Sequence, residues 1–171
     1  MPGRRSLWAF VLMTALVAGS LLAQDRTAEL RARFQKEPDP VHKARMVASL
    51  ADSEFRDMHA KIDEGDLAGA AEIAGQVRDE AQASKKALDA KIHDPEAHPD
   101  GYKQLEISVR ESVRRLDDIL VGLAKDEQNP LMQVRTELDE LEHQIIRQLF
   151  PKRPGPVPAP EPAPAKEKPK S

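Results

Sequence analysis

The chain has 171 residues, with 26 Lys plus Arg against 29 Asp plus Glu for a net charge of −3, and it contains no cysteine. That absence excludes disulfides, a cysteine-linked lipid anchor, cysteine-ligated zinc and covalent c-type haem, so a fold outside a reducing compartment must hold by packing. Residues 24–150 carry 27 acidic against 19 basic side chains, whereas residues 151–171 carry 2 against 5. An acidic body whose aromatics are Phe34, Phe55, Tyr102 and Phe150 lacks the basic stripe and stacking platform of a nucleic-acid binder, so no nucleic-acid partner is expected.

Residues 1–23 read as an export signal. Arg4-Arg5 stands before the apolar run that begins Leu7-Trp8-Ala9-Phe10-Val11 and continues to Leu21-Leu22-Ala23, the basic and apolar regions that export machinery recognises. Cleavage is expected after Ala23, or slightly earlier after Ala18-Gly19-Ser20. The alternative is an uncleaved N-terminal anchor, because the 17 residues from Leu7 to Ala23 reach the lower limit for a membrane span. Arg4-Arg5-Ser6-Leu7 also resembles part of a twin-arginine export signal.

Proline and glycine divide residues 24–150 into segments at about 26–37, 40–64, 67–93, 101–127 and 130–149, each with apolar residues recurring at three and four. The class is therefore all-α: an up-down antiparallel bundle of four long helices plus a short N-terminal one, in a single domain. In the second segment Asp39 caps and Pro40 opens a helix whose seam runs Val41, Ala44, Ala48, Ala51, Phe55, Met58, Ile62. Met46, Val47 and Leu50 lie on another side, which the short segment bearing Leu30 and Phe34 is expected to cover by folding back across Pro38-Asp39-Pro40. The third segment, capped by Asp66, buries Leu67, Ala70, Ala74, Val77, Ala81, Leu88 and Ile92. The fourth offers Tyr102, Leu105, Val109, Ser112, Leu116, Ile119 and Leu123, with Asp100 as its cap. The fifth, capped by Asn129 before Pro130, offers Leu131, Val134, Leu138, Leu141 and Ile145. Short connections imply antiparallel neighbours.

From Pro151 to Ser171, 8 of 21 residues are proline, ending in Lys166, Lys168 and Lys170. Such a segment cannot bury a core and is expected to be a disordered, extended basic tail able to touch anionic polymers or lipid head groups.

Three features bear on chemistry. The turn Asp63-Glu64-Gly65-Asp66-Leu67-Ala68-Gly69-Ala70-Ala71 resembles the helix-turn-helix joint of tetratricopeptide and other helical-hairpin proteins, but helices of about 25 residues do not fit a 34-residue period and no second copy occurs. An exported bundle with Met58 on an early helix and His143 on the last resembles the haem-binding four-helix-bundle cytochromes in outline. His143, however, points away from its helix's seam and Met58 reads as core, so no haem ligation is carried over. The loop from His93 to Gly101 gathers His93, Asp94, Glu96 and His98, residue types that ligate zinc or copper, and these four are the candidate metal ligands. Each also has a structural use in stopping or capping a helix. Arg110 and Arg115 follow Glu106 and Glu111 by four residues, the spacing of ion pairs on a solvated helix face.

No catalytic constellation and no resident cofactor are expected from these residues. The function they suggest is a non-enzymatic structural or interaction module of the bacterial cell envelope, periplasmic or secreted. Its partner would be an envelope protein or polymer, homo-oligomers are possible within that reading, and membrane contact would require an uncleaved signal. The alternative is a periplasmic bundle that binds a small ligand, metal or haem.

Overall fold

A computed structural model describes residues 26–151, so the expectations for the signal segment and for most of the proline-rich tail lie outside the described residues. The described residues form five helices and no strand: α1 at 26–36, α2 at Pro40–Asp63, α3 at Leu67–Lys91, α4 at Asp100–Gly122 and α5 at Asn129–Leu149.

The helix boundaries follow from local chemistry. Asp39 sits in extended conformation and its side chain accepts from the Val41 amide at 3.1 Å, with Pro40 at the first helical position where no amide is needed. At the other end of α2, the Gly65 amide donates to the Ile62 carbonyl at 2.9 Å and the Asp66 amide to the Lys61 carbonyl at 2.8 Å. This paired closure requires a left-handed residue, supplied by Gly65 at φ 76°. Asp66 then caps α3 by accepting from the Gly69 amide at 2.9 Å. That hydrogen bond and the nearby Lys61 hold its carboxyl below the usual range.

Two expected caps do not form. Asp100 and Asn129 both lie inside their helices, which begin one residue earlier than the sequence suggests, and neither helix has a side-chain cap. Helix α4 also stops at Gly122 instead of continuing toward residue 127, with Leu123 extended. Here Gln128 closes the joint from the far side, its Nε2 donating to the carbonyls of Leu120 at 2.9 Å and Leu123 at 3.1 Å.

Direction alternates along the chain, but not every neighbour is antiparallel. Helices α2 with α3, and α4 with α5, form antiparallel hairpins, and the second lies across the first so that α4 also packs beside α2 and α5 beside α3. These cross-hairpin neighbours are parallel. A Cβ at Gly101, near the start of α4, would touch Val41 at the start of α2 and come 2.5 Å from Leu88 Cδ2, so any larger residue here would have to displace the Leu88 side chain. The connection at 92–99, with Pro95 and Pro99, carries the chain across the bundle. The alanines of α3 at 70, 74 and 81, all buried, let that helix also touch α4 diagonally.

The expected seams form one core that includes Met58, Val77, Leu88, Tyr102, Leu105, Leu116, Leu138 and Ile145. Two expectations change. Ala48 is exposed, because the buried arc of α2 is rotated toward Val47, Leu50 and Glu54, leaving Ala48 at the mouth of the groove with α4. In α4, Ser108 joins Ser112 as a buried polar residue, each hydroxyl donating to a carbonyl one turn earlier at 2.9 Å. The surface pairs Glu106–Arg110 and Glu111–Arg115 form at 2.9 and 3.2 Å, and Arg115 also crosses to Asp52 of α2 at 2.6 Å.

Because Leu116 is fully buried at the centre of α4 while Arg114 points to solvent, Leu116→Ala should cost about 2–5 kcal/mol and Arg114→Ala should leave stability close to that of the wild type. Far-ultraviolet circular dichroism during urea titration measures both, and equal losses would contradict the seam assignment.

Candidate functional site

The short helix α1 covers the second side of α2, as the positions of Leu30 and Phe34 lead one to expect. Phe34 is buried in the core, Leu30 and Met46 pack at its edge, and the Lys43 ammonium lies 4.7 Å from the Phe34 ring centre. What fastens the rest of α1 is polar. The hydroxyls of Thr27 and Ser53 are hydrogen-bonded at 2.7 Å, and Thr27 donates to Asp57 Oδ2 at 2.7 Å. One turn on, Arg31 reaches between α2 and α3: its Nε donates to Glu80 Oε1 at 2.9 Å, and its Nη2 donates to Gln76 Oε1 at 2.6 Å and to Glu54 Oε1.

Glu54 has 0 % exposure, and its second oxygen, Oε2, is buried without a hydrogen-bond partner. Two carboxylates therefore share one guanidinium. Burial pushes the Glu54 carboxyl up to about 8, and the negative charge of Glu80 adds to the rise, against the pull of Arg31. Glu80 is raised as well, again by burial with Arg31 opposing. The two carboxyls are also hydrogen-bonded to each other, and a single proton shared by the pair balances the charge of Arg31. Beside this cluster an open cleft of about 290 Å³ runs between α1, the C-terminal half of α2 and the start of α3, lined by Thr27, Arg31, Glu54, Asp57, Ile73 and Gln76 among others.

None of this cluster was among the expected site residues, although a signal was present. Glu54 stands four residues from both Leu50 and Met58, and Glu80 lies three from Val77, so both occupy positions in register with buried apolar residues.

The candidate metal ligands lie at the opposite end of α3. His93, Asp94, Glu96 and His98 are all exposed in the connection to α4. His93, Asp94 and Glu96 line one open cavity of about 520 Å³ together with Tyr102 and Arg147, while His98 is not part of that lining. Asp94 accepts from the Ala97 amide through Oδ1 and from the His98 amide through its carbonyl, both at 3.0 Å, which closes the turn. No group of three or more His, Asp or Glu among the described residues is arranged to hold a metal ion. Below the connection, Asp89 ties three helices: it accepts from Tyr102 at 2.8 Å and Gln148 at 3.3 Å and pairs with Lys85 at 2.7 Å. Burial and the Asp89 carboxylate both raise the Tyr102 hydroxyl, keeping it a neutral donor.

Of the residues weighed for haem, Met58 is fully buried among core side chains and the His143 side chain is 61 % exposed on the far side of its helix, so the two are not brought together. No protein-family model matches the chain, and no curated protein or solved structure is similar to it.

The Glu54 cluster fixes the sign of a pH dependence. Folding raises this carboxyl from its usual 4.5 to about 8, so the folded state holds a proton that the unfolded chain releases, and stability from this group falls as pH rises from 4.5 to 8. In urea titrations at pH 5, 7 and 8.5, Glu54→Gln should gain steadily on the wild type as pH increases. A wild type that gains on the variant with rising pH would contradict the protonated assignment.

Proposed function

We propose that the protein is exported to the bacterial cell envelope and acts there without catalysis, its helical body serving as a structural or interaction module and its proline-rich basic tail as a tether or contact arm. The observation that carries this reading is the N-terminal sequence, Arg4-Arg5 followed by the apolar run from Leu7 to Ala23. The cysteine-free body supports it, since a core built from helix seams alone is indifferent to an oxidising compartment. No helix among the described residues is long and apolar enough to cross a membrane, so in this reading any anchoring falls to residues 1–23.

The partner in this account is an envelope protein or an anionic envelope polymer. The body is acidic and the tail is basic, so an anionic surface attracts the tail while repelling the body, which suits an arm that reaches past the domain it carries. At 3.1 Å per residue in extended form, 21 residues reach at most about 65 Å.

Two experiments address the two halves of the proposal. Replacing Leu12 and Leu16 together with Arg breaks the apolar run and should retain the protein in the cytoplasm, as read by cell fractionation; unchanged location would remove the export reading. Deleting 151–171 should leave the thermal midpoint nearly unchanged and abolish envelope association that the wild type loses with added salt. A truncated protein that melts far lower, or one that fractionates as the wild type does at low salt, would contradict the tether.

A further inference from the structure

We propose that, wherever the protein resides, the groove between α3 and α5 is the docking site of the chain's own proline-rich tail, which turns back after Pro151 and lies along α5. Three open cavities, of about 320, 270 and 520 Å³, share lining residues and so form one continuous groove: Lys85 and Gln144 join the first to the second, and Arg147 and Gln148 join the second to the third. The groove begins beside Glu137 and ends at Pro151, the last described residue, so the tail leaves the body from within the groove's own lining.

The lining suits an extended chain rich in proline. Such a segment makes no internal hydrogen bonds, and each proline offers a carbonyl acceptor without an amide donor. The groove supplies donors: Gln82 and Lys86 of α3 and Gln144 and Arg147 of α5 line it and bond to no other described residue. Between them Leu141 and the stem of Lys85, a side chain only 14 % exposed, give the proline rings an apolar strip.

Charge fixes the direction and the register. Carboxylates stand at both ends of the groove with unpaired cations between them: Asp94 and Glu96 near Pro151, then Arg147 and Lys86, then Glu140 and Glu137. The tail carries the complementary order, with Lys152-Arg153 first, then Glu161, then Lys166 and Lys168. Pro154-Gly155 is a turn dipeptide, and it stands where the chain must reverse. From Pro156 to Glu161 an extended chain covers about 16 Å at 3.1 Å per residue, equal to the roughly 16 Å along the α5 axis from Pro151 back to Glu140. At that level Lys86 lines the groove. Exposed ion pairs are individually weak, so the tail is held reversibly and an anionic surface can draw it away.

Because the chain has no cysteine, Ala159→Cys places a single nitroxide on the tail, and its distance from the body is read in the purified protein by paramagnetic broadening of amide NMR signals. At low salt, amides of 82–89 and 137–148 should broaden more than those around Ala48 of α2 and Ser108 of α4, on the opposite side of the bundle. Lys86→Glu should reduce that broadening by about twofold or more, and adding Glu161→Lys should restore it. Equal broadening on both sides of the bundle, or none on either, would overturn the proposal. So would a Lys86→Glu variant that broadens as its parent does, or a loss that Glu161→Lys leaves in place. A mixture of isotope-labelled chains without nitroxide and unlabelled chains carrying it should show no broadening of the groove; equal broadening there would assign the groove to the tail of a second copy and overturn the fold-back.

Discussion

A single guanidinium holds three helices at one point. Arg31 leaves the short α1 and bonds simultaneously to Glu54 of α2 and Glu80 of α3, both of them carboxylates withdrawn from water. Apart from a few polar ties such as Asp89 with Tyr102 and Gln148, the rest of the described body is held by apolar seams, for which many alternative side chains of similar volume would serve. The Arg31 cluster has no such latitude: removing the guanidinium leaves the negative charge that the two carboxyls share buried without a counter-ion, and removing either carboxylate changes the number of protons the others hold. One turn before it on α1, Thr27 meets Ser53 and Asp57, so the two sets of polar contacts agree on a single register for the helix.

The seams were readable from sequence because helix periodicity and apolar spacing act locally. In α5, Leu131, Val134, Leu138, Leu141 and Ile145 are all buried, as their spacing of three and four requires, and Leu149 extends the row. The caps Asp39 and Asp66 were legible for the same reason, one standing before Pro40 and the other directly after Gly65. Asn129 and Asp100 misled because a cap depends on where the preceding joint ends, and at α5 Gln128 is instead committed to the last carbonyls of α4. The placement of α4 beside α2 was not legible, since alternating direction permits more than one arrangement of two hairpins and the choice lies in contacts such as Gly101 against Leu88 and Val41.

The same distinction explains why the polar cluster escaped notice while the loop at 93–98 attracted it. His93, Asp94, Glu96 and His98 stand close in sequence, which makes a cluster visible without bringing its donors to a common point. Glu54 and Glu80 are 26 positions apart, and Arg31 comes from a third helix, so only packing assembles them. Charged residues are ordinarily assigned to the solvated face of a helix; here both glutamates lie in register with apolar neighbours.

If α1 depends on Arg31 for its position, amide hydrogen exchange followed residue by residue should show it most directly. In Arg31→Gln, amides of 26–36 should lose their protection while those around Leu116 in α4 and Leu138 in α5 remain slow, because the four-helix core does not need the guanidinium. Unchanged protection along α1 in the variant would contradict that dependence, and an equal rise in exchange across all five helices would show that α1 and the bundle open as one unit.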